Sequence, residues 1–255
     1  MEFIDTHTHN CDSAFDGERD LVIERALKAG VSRMLQADID SRERPGMFEL
    51  TDRYPGILLP MLGLYPGSVD SSWQKEIDAM LDYSTRNIVA IGEIGLDYHF
   101  DTTFRKEQKD AFFTQLELAA KMNLPVNIHL RDATEDFFDV IKAASHLGIR
   151  GNLHAFSGSA ETFRRVSRMG DWYVGIGGVL TFKKASIARD ILEIPTERIL
   201  LETDSPYLAP TPLRGTRNES ANIPLIAASL AAIKGVSIEE IAAVTTSNAK
   251  KLFSL

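Results

Sequence analysis

Short apolar runs rich in Ile, Val and Leu alternate along this chain with longer segments of helical period, and the alternation predicts repeated strand–helix units. Eight strands are expected, over residues 3–5, 33–37, 57–62, 88–93, 126–129, 151–154, 172–175 and 199–202. Helices are expected between them, over 21–29, 104–122, 135–147 and 160–169 among others. Gly30 and Gly148 each follow an apolar-periodic stretch, where a left-handed residue ends a helix. Ser237 with Glu240 three residues on reads as a capping box opening the last helix.

Strands joined by helices can close into a (β/α)8 TIM barrel or open into a doubly wound sheet, with similar local patterning. Eight units favour the closed α/β barrel, which commonly takes roughly 250 residues. The chain has 255, with no internal repeat, low-complexity tract or Pro/Ser-rich linker, so a single domain over residues 1–255 is expected. Segment 204–223, with Pro206, Pro210 and Pro212 among polar residues, is too long for an ordinary connection and reads as a functional loop.

In FIDTHTH, His7 and His9 stand two apart at a strand end, a spacing that sends both side chains to one side and suits metal chelation. By itself the pair reads equally well as two solvated or hydrogen-bonding histidines. Glu93 in AIGEIG, His129 in VNIH, His154 in GNLH and Asp204 after ILLET each terminate an apolar run. The C-terminal strand ends of such a barrel form its active face, so four histidines and two carboxylates converge at one mouth. Six ligands suit two divalent ions, each keeping positions for water and substrate, and one carboxylate can span both.

Composition narrows the classes of function. Hydrophobic residues make up 44% and charged residues 25%, as in ordinary globular domains, which excludes a disordered or disulfide-stapled chain. The single cysteine, Cys11, has no internal disulfide partner. The opening MEFIDTHTH has neither a basic nor an apolar signal region, and no run is long enough to span a bilayer, so a cytoplasmic protein without a membrane or an obligate protein partner is expected. A net charge of -8 argues against a broad basic surface gripping nucleic acid. Positive charge for a polyanionic substrate would have to come from bound cations.

FIDTHTH, GEIGLDYH, HLRDA, HAFSG and ILLETDSPYLAP followed by RGTRNE occur in this order between residues 3 and 219. With them the chain resembles the TatD-like family of metal-dependent nucleases within the amidohydrolase-type barrels. The resemblance implies that His7, His9 and Asp204 hold one ion and His129 and His154 the other, with Glu93 bridging them. It also implies hydrolysis of DNA phosphodiesters, often from the 3′ end, through a metal-bridged water. Asp204 is the candidate to orient that water and take its proton. Histidine-rich ligation suits Zn, Mn or Ni better than Mg, which leaves the metal open.

Around this set, Arg131, His99, Tyr65, Arg214 and Arg217 are candidate substrate-binding residues, each with a plainer reading as a salt-bridging or loop-tying group. Glu202 is expected to point away from the mouth or to act as a hydrogen-bond acceptor behind a ligand. His146 is expected at the surface, beside a helix C-terminus. Tyr65 and Gly67 stand where relatives often carry histidine, which bears on substrate contacts more than on the metals. Two alternatives follow: a hydrolase of a small ester, lactone or amide, and a non-catalytic metal-binding interaction protein.

Overall fold

The structure is a computed structural model that describes residues 1–255. Its elements run β1 (Phe3–Thr8), α1 (Arg19–Lys28), β2 (Val31–Gln36), α2 (Arg44–Arg53), β3 (Leu58–Leu62), α3 (Trp73–Leu81), β4 (Ala90–Asp97) and α4 (Arg105–Met122). They continue with β5 (Val126–Arg131), α5 (Thr134–Ala143), β6 (Gly151–Leu153), α6 (Ala160–Ser167), β7 (Trp172–Ile176), α7 (Ile187–Asp190), β8 (Ile199–Leu201), α8 (Ile223–Lys234) and α9 (Ile238–Phe253). The eight strands lie in sequence order and each pairs in parallel with the next. After β8 the chain returns to β1: Asp204 N donates to His7 O at 3.0 Å and His9 N to Ser205 O at 2.8 Å. The sheet closes there, as expected of a (β/α)8 barrel.

Alternation along the strands divides the core in two. Val126, Ile128, Leu153, Val174, Ile199 and Leu201 face outward and pack under the helices. Ile4, Leu35, Met61, Ala90, Tyr173 and Leu200 fill the lower interior, where Leu252 and Phe253 of α9 close the floor. Above that layer the inward positions turn polar.

Several strands run further than their apolar pattern suggests. β4 was expected to stop at Glu93 but continues to Asp97, because Ile94 and Leu96 pair with Ile128 and Leu130 of β5. A register shift between Ile91 and Ile94 accommodates Glu93 within the strand. β1 and β5 likewise extend past their expected ends, since His7 and His129 face the barrel mouth while the backbone ladder continues. β2 begins two residues earlier than expected, at Val31. α2 is masked in the sequence by Pro45 and Gly46 in its first turn. α5 ends at Ala143, and a tighter turn completes the expected helix to Leu147 before left-handed Gly148. Ser237 caps α9 by accepting from Glu240 N at 3.1 Å.

Candidate metal centre

All six expected ligands meet at the C-terminal mouth. His7 Nε2 stands 3.0 Å from His9 Nε2, and Asp204 Oδ1 lies 3.6 Å from the first and 3.4 Å from the second. His129 Nδ1 is 3.1 Å from His154 Nε2. Glu93 stands between the pairs and divides its carboxylate. Oε1 is 2.8 Å from both His129 Nδ1 and His154 Nε2, whereas Oε2 is 3.4 Å from His7 Nε2 and 3.7 Å from His9 Nε2. The His7 and His154 rings stack at 3.8 Å, which joins the two halves. His7, His9 and Asp204 form one group of metal-competent donors, and His7, Glu93 and His154 form another.

The outer nitrogens settle which inner atoms carry lone pairs. Asn127 Nδ2 donates to Asn152 Oδ1 at 3.2 Å, which turns Asn127 Oδ1 toward His7 Nδ1 at 2.8 Å. A carbonyl oxygen only accepts, so His7 keeps its proton on Nδ1 and presents a bare Nε2 to the mouth. His129 is held the other way round: its Nε2 donates to Asp97 Oδ2 at 2.9 Å, so Nδ1 faces the mouth and carries the lone pair of the neutral ring. Behind His154 stands the buried carboxylate of Glu202, 3.7 Å from Nδ1. Imidazole nitrogens and carboxylate oxygens packed face to face repel one another unless positive charge, a proton or a metal ion, lies among them. The donor set therefore fits divalent metal, with imidazole suited to Zn, Mn or Ni and carboxylate to Mg or Mn.

Electrostatics point the same way. Burial disfavours charge on Glu93, yet His154 and His7 outweigh it and hold the carboxyl well below its usual range. Burial likewise opposes a proton on His154, but Glu93 and Glu202 prevail and raise its pKa well above that of an ordinary imidazole. His9 and His129 are raised against burial too, by Asp204 and Glu93 in one case and Asp97 and Glu93 in the other. The buried carboxylates thus draw positive charge into the mouth.

The other candidates are distributed unevenly. Tyr65 touches the cluster: its ring lies 5.1 Å from that of His129, and its hydroxyl donates to Asp97 Oδ2 at 3.4 Å. Arg131 is exposed at the end of β5, its guanidinium 4.9 Å from the Phe100 ring centre. His99 Nδ1 pairs with Asp132 at 2.7 Å outside the ligand set. Arg214 stacks on Phe182 at 4.4 Å. Arg217 reaches Glu18 at 2.7 Å, Glu219 at 3.1 Å and Ala14 O at 2.7 Å, so its guanidinium ties the final loop to the barrel rather than facing the cluster. His146 is exposed, as expected, with Nδ1 against Ala143 O.

Glu202 corrects one alternative, because it points into the barrel and not away from it. Alternation along β8, with Leu200 inward and Leu201 outward, turns Glu202 inward, and Asp204 follows it with a left-handed φ of 56°. Glu202 accepts from Ala155 N, and its depth depends on Gly175, where any Cβ would collide with the carboxylate. Asp97, Asn127 and Asn152 lie outside the set expected from the sequence. A signal for the two asparagines exists: VNIH and GNLH place an amide two residues before each histidine, on the same inward face.

The family model described as TatD related DNase matches residues 4–254. An uncharacterized metal-dependent hydrolase from Bacillus subtilis, YabD, is 38% identical over 258 residues, covering 98% of each chain. The 3'-5' ssDNA/RNA exonuclease TatD of a Rahnella species is 34% identical over 251 residues, covering 95% of each. Among solved structures, the TatD homologue YJJV from Escherichia coli K12 superposes with a TM-score of 0.90 at 29% identity, covering 99% of this chain and 98% of that one.

Proposed function

This chain belongs to the TatD related DNase family and is a metal-dependent hydrolase, and from that premise we propose that it is a deoxyribonuclease removing nucleotides from the 3′ end of DNA. His7, His9 and Asp204 would hold one divalent ion and His129 and His154 a second, with Glu93 in reach of both. Such ions supply Lewis acidity, which neutralises a phosphodiester and acidifies water near neutral pH. The protein's own contribution is placement. Asn127 and Asp97 orient the His7 and His129 rings so that Nε2 of the first and Nδ1 of the second face the mouth. Asp204, 15% exposed at the open side of the cluster, is placed to accept the proton of an attacking water. Attack at phosphorus breaks the bond to the 3′ oxygen of the preceding nucleotide, which leaves with a proton and frees a terminal 5′ nucleotide.

The observation that carries the reading is the division of Glu93, one oxygen toward each histidine pair. The test is degradation of 5′-labelled single-stranded DNA with Mg, Mn or Zn. A ladder of products shortened from the 3′ end, abolished by a chelator, is expected; intact DNA under all three metals would overturn the proposal. No helix is long and apolar enough to cross a membrane, and action in the cytoplasm is part of the proposal. The net charge of -8 favours a second reading, hydrolysis of a small ester, lactone or amide by the same donors. Turnover of such a panel with DNA left uncut would select it.

A further inference from the structure

Beside the ligand cluster lies a cavity of about 280 Å³ between the loops that follow β3 and β4, walled by Tyr65, Pro66, Val69, Phe100 and Phe104. It adjoins the candidate metal centre directly, because Tyr65 packs against His129 and the lining residue Asp97 is the group that holds His129 Nε2. Its polar walls are largely spoken for. Gln108 is engaged at both ends by the Asp97 backbone, and Asp97 Oδ1 accepts from His99 N at 2.8 Å. What remains is chiefly aromatic and apolar surface. The volume is below the roughly 300–1,000 Å³ that encloses a drug-sized ligand and suits one ring system.

The room is also made locally. At Gly67 a Cβ would collide with the Tyr65 ring, so glycine there lets Tyr65 lie across the cavity. At the rim Phe100 is 84% exposed, with Arg131 against its ring. A large aromatic face held out in water beside a cation is the arrangement that takes a stacked base with its flanking phosphate. The carboxylates of Asp97 and Asp101 repel a phosphate from the cavity itself. A phosphodiester whose phosphate lies at the cluster would set its attached ring toward the cavity.

We infer that this cavity is a nucleobase subsite, in which Tyr65, Phe100 and Phe104 stack one base of the nucleotide whose phosphate is cleaved. The inference rests on the nuclease reading and is tested separately from it. With manganese, kcat/KM is measured on oligonucleotides whose last or next-to-last 3′ residue carries either adenine or an abasic tetrahydrofuran. One of the two abasic positions should slow cleavage on the order of tenfold, and Phe100→Ala should shrink that ratio several-fold. Equal rates on intact and abasic ends would overturn the subsite while leaving the nuclease standing. If no end is cut, the nuclease reading fails and binding decides the cavity. Titration of wild-type protein into 2-aminopurine deoxynucleoside 5′-monophosphate should then quench its emission saturably, and less so for Phe100→Ala. Absence of quenching at millimolar protein-to-ligand ranges would overturn the subsite. The exposure of Phe100 makes its loss harmless to folding.

Discussion

At the scale of single residues, the groups behind the six proposed ligands matter nearly as much as the donors themselves. Asp97 accepts the Nε2 proton of His129 at 2.9 Å, so Asp97→Asn replaces a charged acceptor with a neutral one that can also flip. Metal affinity should fall about 10–100-fold, read by calorimetric titration of manganese into the purified protein. Glu93→Gln keeps the shape but removes the charge that faces both histidine pairs. Hydrolysis should drop on the order of 10²–10³-fold with an unchanged circular dichroism spectrum. Unchanged turnover in that variant would remove Glu93 from the chemistry. The six converging donors were legible because His, Glu and Asp are conspicuous where apolar runs stop. Asp97 was not, because its relation to His129 arises from pairing between two strands.

Among the elements, the segment after β8 is secured by ion pairs. Glu219 receives Arg25 Nε at 2.7 Å and Arg217 at 3.1 Å. Burial works against charge on Glu219, but the two arginines outweigh it and lower its pKa below the usual 4.5. A depressed folded-state pKa adds stability above the unfolded value, and that stability is lost as pH falls through the folded one. Proteolysis within 204–223 should therefore speed up below pH 4.5, and Glu219→Gln should show the same fast cleavage already at pH 7. A second element-level test concerns the loop after β2. Arg44 Nε meets Asp38 Oδ2 at 2.6 Å with both groups buried, and Asp38 O accepts the backbone N–H of Glu93 at 3.2 Å. Arg44→Met leaves a buried carboxylate unpaired and should cost about 3–5 kcal/mol in urea unfolding.

For the molecule as a whole, bound cations and folding are linked, since six donors from five segments of the barrel can be assembled only in the native state. Manganese at 100 times its dissociation constant should add about 2.7 kcal/mol, and a chelator should remove it as a fall in Tm of about 5–10 °C. A Tm insensitive to both would mean that no cation is held. The eight strands, the barrel and the donor residue types were determined by the sequence alone, because hydrophobic periodicity is a local property and an ionisable residue interrupting an apolar run is visible without neighbours. The TatD-like motifs were visible for the same reason. Tertiary structure decided the rest: which oxygen of Glu93 faces which pair, which nitrogen of His7 and His129 faces the mouth, that Glu202 stands behind His154, and that Arg217 is spent on Glu18 and Glu219. Each of these depends on atoms brought together from strands far apart in the chain, and no spacing along one segment encodes such a distance.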